Sequence, residues 1–224
     1  MRWYLLLLLL VLTGCGVSEP MEDASILPVQ AVPESEPAPM PEPEAADFVR
    51  VQEYLPDILV DLKYAGAENF TGQAVYDFTD AYLRYGTVQK LSSALDILMD
   101  QGYTLLIWDA FRPTQAQFRL WEICPDPVYV ANPETGFSSH SRGNTVDLTL
   151  AALDGEPVEM PTDFDDFSPL ADRDYSDVPA SAAANAQLLE DVLTACGFQP
   201  YTGEWWHFSD LDNYPVEESW SPPK

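Results

Sequence analysis

Only two histidines stand in the 224-residue chain, and each has a carboxylate at a short, fixed offset. His140 lies in Ser138-Ser139-His140-Ser141-Arg142-Gly143-Asn144-Thr145-Val146-Asp147, seven residues ahead of Asp147. His207 lies in Gly203-Glu204-Trp205-Trp206-His207-Phe208, three residues after Glu204. Two neutral imidazoles and one carboxylate are a ligand set for a catalytic zinc ion that keeps a fourth position for water. Zinc brings the pKa of such a water down to about 7, so hydroxide becomes available at neutral pH. A second carboxylate that does not ligate can take the proton and pass it to a leaving amine. His140, Asp147 and His207 therefore suit the ligand roles, and Glu204 the general acid/base role. Each residue also has an ordinary reading: a hydrogen-bonded histidine, an aspartate at a strand start, a Trp-Trp-His-Phe core cluster. On a regular strand Glu204 and His207 would face opposite sides. Sharing one site requires a bend or bulge after Gly203, or Glu204 in the preceding loop.

The elements that must hold these residues read as a compact α+β domain from Phe48 to about Tyr214. Ile58 to Tyr64 is strand-like. Val88, Leu91, Leu95 and Leu98 recur at helical spacing, with Gly102 as the stop. Thr104 to Trp108 is a short apolar run rich in β-formers, which suits a central strand. Pro113 fits the first turn of a helix running through Phe118 and Trp121. Val146 to Leu150 alternates with period two. Ala182 to Cys196 is an Ala/Leu-rich helix with Leu189, Val192, Leu193 and Cys196 on one face, and Trp205 to Phe208 is aromatic and strand-like. Helices and strands do not alternate regularly and no Gly-rich phosphate loop occurs, which argues against a doubly wound nucleotide fold. The expectation is an antiparallel or mixed central sheet with helices packed on one side.

Ahead of this domain the chain changes character twice. Met1-Arg2 is a minimal basic start, and Trp3 to Leu12 is an apolar run with six consecutive leucines. That run is about half of the ~20 residues a membrane-spanning helix needs, so it reads as a secretory signal. Leu12-Thr13-Gly14-Cys15 resembles the bacterial lipobox, in which the cysteine is acylated and becomes the mature N-terminus. Residues 1–14 are thus expected to be a lipoprotein signal, with lipid on Cys15 as the only membrane contact. Residues 15–47 are dominated by Pro and Glu, and no Lys or Arg occurs from Gly16 to Asp47. Such a stretch cannot bury enough apolar surface to offset its chain entropy, so it reads as a disordered tether. Residues 215–224 remain as a C-terminal tail. A formal charge of −27 repels nucleic acid and anionic headgroups, which makes both poor candidates as partners. Cys124 and Cys196 lack any Cys-x-x-Cys spacing. In an exported protein they either pair as one disulfide or stay as buried thiols.

The motif Ser-x-His-x-x-Gly-x-x-x-Asp, followed far downstream by Glu-x-Trp-His, resembles the zinc D-alanyl-D-alanine dipeptidases of the VanX type, within the wider D,D-carboxypeptidase-like metallopeptidases. Further blocks agree in order: Tyr64-Ala65 with Asn69-Phe70-Thr71-Gly72, then Asp109-Ala110-Phe111-Arg112-Pro113, then Met160 to Phe167. The likeness spans the domain and leaves out only signal and tether. Phe111 stands where that family often has Tyr, and Pro161 where it often has Gly; neither is a ligand position. The resemblance implies one Zn²⁺ on His140, Asp147 and His207, with Glu204 as catalytic acid/base and Arg112 stabilising the transition state. A fixed guanidinium beside the metal lowers the energy of a developing oxyanion, a task that a turn after an apolar strand suits. Ser138 and Asp165 match positions that contact the substrate's termini. Asp165 either pairs with a free amino group or belongs, with Asp163 and Asp166, to a solvated acidic loop. Asp109 is expected to brace the Arg112 turn, and Asn69 and Thr71 to serve as turn residues.

The expected activity is zinc-dependent hydrolysis of D-Ala-D-Ala or a similar small D,D-dipeptide on the outer side of the membrane. A D,D-carboxypeptidase trimming peptidoglycan stem peptides is the alternative enzyme. A wall-binding lipoprotein without catalysis would require a missing ligand or base, and none is missing.

Overall fold

The computed structural model describes residues 42–127 and 129–223. The readings on Cys15, the signal and most of the tether lie outside these residues. Seven strands are present among them: β1 (Phe48–Arg50), β2 (Leu59–Val60), β3 (Tyr82–Arg84), β4 (Tyr103–Asp109), β5 (Thr145–Ala152), β6 (Phe198–Pro200) and β7 (His207–Asp210). Four α-helices accompany them: α1 (Val51–Tyr54), α2 (Tyr85–Met99), α3 (Thr114–Ile123) and α4 (Ala180–Ala195). The main sheet has the order β2-β4-β5-β7-β6, and β1 pairs separately with β3. β2 runs parallel to β4 and every other pairing is antiparallel, so the fold is α+β on a mixed sheet, as expected.

The helices follow from their apolar spacing. Val88, Leu91, Leu95 and Leu98 are all buried on one face of α2, and Gly102 takes the left-handed conformation (φ +88°) that ends the excursion. Leu189, Val192 and Leu193 do the same for α4, which packs on α2 and on β6. Thr87 of α2 donates to Asp210 at the end of β7, where Lys90 also pairs, tying helix to sheet beside the site.

Four expectations need correction. Of Ile58–Tyr64 only Leu59–Val60 pairs as strand, and Lys63–Ala65 forms a 3₁₀ turn. The cause lies downstream: the Asn69 side-chain amide donates to the carbonyls of Lys63, Gly66 and Gln73, and Tyr64 O accepts from Val75 and Tyr76. Pro113 sits at the N-cap of α3, one residue before its first turn. Strand β7 begins only at His207, leaving Glu204, Trp205 and Trp206 in the preceding turn. The polar/apolar alternation of β5 is also not one of exposure, since Asp147 and Thr149 are as buried as their apolar neighbours. Cys124 and Cys196 are free thiols.

The residues around both ends of the domain are docked on it. Tyr85 N–H donates to Asp47 O, and the Arg84 guanidinium donates to Ala46 O. Glu217 N–H donates to Ser141 O at 2.8 Å, and the Trp220 ring stacks on Phe48 with centroids 4.2 Å apart. No helix among the described residues is long and apolar enough to cross a membrane.

Candidate active site

The sheet brings the chemistry to one end of its central strands. Asp109, the last residue of β4, pairs with Asp147 on β5 after a register shift at Trp108, and Asp147 pairs in turn with His207 on β7. Three neighbouring strands thus deliver three side chains to one place. His140 arrives from a 3₁₀ turn (Ser139–Arg142), capped by Ser138, whose hydroxyl accepts from His140 N–H. Gly143 closes that turn in the left-handed conformation (φ +75°). A Cβ there would lie 2.3 Å from the Phe48 ring. Phe48 cannot yield, being wedged between Trp220 and the Arg84 guanidinium, 3.9 Å from its centroid. Gly143→Ala is therefore expected to cost about 2–4 kcal/mol, from backbone strain and overpacking together. A denaturation midpoint measures that cost, and a chelator competition measures the accompanying loss of metal affinity.

His140 Nδ1–H donates to Ala110 O at 2.9 Å, which leaves Nε2 with a free lone pair 3.3 Å from Asp147 Oδ2. His207 Nδ1 lies 3.0 Å from Asp147 Oδ1 and 3.5 Å from Glu204 Oε2, while its Nε2 meets Ser139 Oγ at 3.4 Å. Ligand atoms of His140, Asp147 and His207 all fall within 4.8 Å of one another. Asp147 Oδ1 is buried and accepts no hydrogen bond despite its close nitrogen neighbour. A buried acceptor facing lone-pair donors is costly unless a cation sits between them, so this donor set fits a metal such as zinc. Burial is the largest single influence and would raise the Asp147 pKa, but the charges and close polar contacts of His140 and His207 together outweigh it and hold the carboxyl well below its usual range. Burial raises Glu204 above the usual carboxylate value, with the charge of His207 pulling it partway back. Glu204 lies in the turn before β7, the arrangement that lets it share a site with His207.

Arg112 follows β4 by three residues. Its Nη2 and Nε donate to Asp109 Oδ2 at 2.6 and 3.1 Å, its Nη1 donates to Gln117 Oε1 at 3.1 Å, and the Tyr64 ring lies beneath its Cζ at 5.1 Å. Asp109 is fully buried and its other oxygen accepts from Tyr76 Oη and Ala110 N–H, so it braces the Arg112 turn as expected. Asp165 adopts φ +59°, alone in this region among the non-glycine described residues, and its carboxylate accepts from Tyr64 Oη at 3.1 Å. That backbone turns Asp165 inward, while Asp166 binds Ser168 N–H at the surface. Burial, with the charge of Asp147 adding to it, pushes Asp165 up to about 7.

All seven predicted chemical residues within the described part, Ser138 included, line one cavity of about 300 Å³. Tyr64, Ser139 and Tyr201 line it too and had no chemical role in the sequence reading. Gln117, which ties Arg112 to Ala131 O, was equally unmarked. Tyr64 at least stood in an ordered motif block; a buried glutamine one turn into a helix leaves no local signal.

Comparison with known proteins agrees with this geometry. The family model described as "D-ala-D-ala dipeptidase", of the Peptidase M15 group, matches residues 44–221. A D-alanyl-D-alanine dipeptidase of Escherichia coli (strain K12) is 38% identical over 175 residues, covering 77% of this chain and 90% of that protein. A protein of the same name from Streptomyces coelicolor is 37% identical, covering 73% and 91%, and one from Enterococcus faecium is 33% identical, covering 75% and 94%. Among solved structures, VanYB in complex with D-Alanine-D-Alanine aligns over 59% of this chain and 73% of its own, at 15% identity and a TM-score of 0.39, too distant to carry an argument. A family match spanning most of the chain, and relatives at this identity over nearly their full length, place it: the chain belongs to the D-Ala-D-Ala dipeptidase family of M15 peptidases, and it is an enzyme of that family.

Proposed function

We propose that the chain hydrolyses the D-Ala-D-Ala dipeptide with zinc held by His140, Asp147 and His207, and that it works outside the membrane, tethered by lipid on Cys15. The observation that carries the chemistry is the buried Asp147 carboxylate between two histidines, Oδ1 3.0 Å from His207 Nδ1 and Oδ2 3.3 Å from His140 Nε2, with the Glu204 carboxylate beside them. Bound zinc supplies Lewis-acid polarisation of the scissile carbonyl and a water acidic enough to attack at neutral pH. Glu204 takes the proton of the attacking water at a carboxylate oxygen and delivers it to the leaving amine, work suited to its raised pKa. Arg112, fixed by Asp109 and Gln117, presents positive charge to the developing oxyanion without having to reorganise. Asp165 receives the ammonium of the substrate, and Ser138 contacts a substrate terminus from the capped turn. A cavity of about 300 Å³ that includes Asp165 and Tyr64 suits a dipeptide better than a long stem peptide.

The deciding assay gives the purified, zinc-loaded domain D-Ala-D-Ala and, separately, a stem pentapeptide. Dipeptide cleavage that is lost on chelation supports the proposal. Stem cleavage alone would move it to a D,D-carboxypeptidase, and inactivity on both with zinc bound would refute it.

The Asp165 assignment has a pH signature. Below a pKa of about 7 the carboxyl is neutral and cannot pair with an ammonium. KM for the dipeptide should therefore rise as pH falls from about 8 to about 6, with kcat changing less. Asp165→Asn should flatten that dependence and raise KM at least ~10-fold at high pH, the loss of a charged hydrogen bond. The same change should raise Tm at about pH 8, because a carboxyl whose folded pKa is raised destabilises the fold once ionised. For the anchor, Cys15→Ser should release the protein from the membrane fraction; unchanged association would refute the lipid attachment.

A further inference from the structure

The turn that carries Glu204 and His207 is closed at its ends, where Tyr201 N–H donates to His207 O at 3.1 Å, but the bonds inside it are long. Glu204 N–H reaches Tyr201 O at 3.4 Å and His207 N–H reaches Glu204 O at 3.3 Å, both beyond the usual N–H···O range. The sheet and the end-to-end bond hold His207, but the long inner bonds leave the Glu204 peptide loosely fixed against it. One side chain supplies what is missing. Arg173 donates from Nε to Tyr201 O at 2.8 Å, and from Nη2 to Glu204 O at 3.1 Å and His207 O at 3.0 Å. The carbonyls at the start, middle and end of the turn thus share one planar guanidinium.

The guanidinium is itself immobilised. Nη1 donates to Glu190 Oε2 on α4 at 2.9 Å and to Tyr175 Oη at 3.2 Å, and Cζ sits 4.5 Å over the Phe208 ring. The side chain is 9% exposed, and two residues earlier Ala171 O accepts Trp205 N–H, a second point of docking on the same turn. Five contacts use the rigid donor fork of an arginine; a lysine offers three donors from a single point and cannot span three carbonyls.

We infer that Arg173 is a positioning residue for the reaction, fixing Glu204 and His207 through the main-chain carbonyls of residues 201–207 rather than merely pairing with Glu190. The inference rests on the zinc-peptidase reading of the site, but its first readout does not depend on activity. Outer-shell partners of metal ligands typically change metal affinity by about 10–100-fold. Arg173→Lys keeps the cation and its pairing with Glu190 but loses the three-carbonyl span. It is expected to weaken zinc binding about 10-fold in competition with a chromogenic chelator. It is also expected to lower kcat about 10²-fold with KM little changed, since misplacement by about an ångström costs that much. Glu190→Gln, which removes the ion pair and keeps the carbonyl contacts, should leave zinc affinity and kcat within about 3-fold while lowering Tm, because the turn stays clamped.

Parent-like zinc affinity and kcat in folded Arg173→Lys would overturn the inference, as would Glu190→Gln reproducing the same losses. Should Arg173→Lys prove unfolded, Arg173→Gln carries the same expectations, its amide reaching one or two of the carbonyls. A parent chain that cleaves no D,D-dipeptide would sink the catalytic reading, and the chelator competition would still decide for or against Arg173.

Discussion

Glu204→Gln is expected to lower kcat on D-Ala-D-Ala by about 10²–10⁴-fold, with zinc content and KM close to those of the parent chain. The substitution keeps size and shape, so the turn and its Arg173 contacts survive. What it removes is a basic oxygen. Glu204 Oε2 lies 3.5 Å from His207 Nδ1, at the edge of the three-residue donor set but outside it. Its pKa is raised by burial, which makes it a better base than a solvated glutamate and a usable acid for the return transfer. Metal analysis and steady-state kinetics on the same preparation separate the outcomes. Zinc lost together with activity would make Glu204 a ligand, and an unchanged kcat would remove it from the chemistry.

The second large effect belongs to Arg112. Arg112→Lys should lower kcat about 10²–10³-fold, the usual loss when a preorganised oxyanion partner is removed. Charge is conserved, yet the ammonium cannot hold Asp109 through two nitrogens and Gln117 through a third. Arg112→Ala is the poorer test, because it strands the fully buried Asp109 without its cation at a cost of about 3–5 kcal/mol. Kinetics of the lysine variant with a parallel melting curve distinguish lost catalysis from lost structure. A lysine variant with parent-like kcat would reassign Arg112 to bracing alone.

The site residues were legible because each carries its chemistry in its type and stands in a local frame. His140 and Asp147 stand together in one ordered motif, and Pro113 marks the boundary after Arg112. Glu204 was harder, since period two on an aromatic run sets it against His207. The strand starts two residues later than the aromatic pattern begins, because Trp205 is committed to Ala171 O and Thr162 Oγ1 rather than to a neighbouring strand. Arg173 and Gln117 were not legible. Their partners are backbone carbonyls of segments brought together only by the fold, and a carbonyl has no sequence signature. The 3₁₀ turn at Lys63–Ala65 escaped for a similar reason, being shaped by an asparagine that follows it. Cys124 and Cys196 are free thiols, one of the two states their sequence context left open.

The stack of Trp220 on Phe48, with Phe48 pressed against Gly143, gives the last residues of the chain a mechanical share in the site. Only three positions separate Gly143 from His140, and Glu217 grips Ser141 in between. A fragment cut at Tyr214 would look complete by every strand and helix it keeps, yet it would lack the clasp on the loop that presents its first histidine. For protein engineering, the functional border of this enzyme therefore lies beyond Trp220, and fusion partners belong on the far side of it.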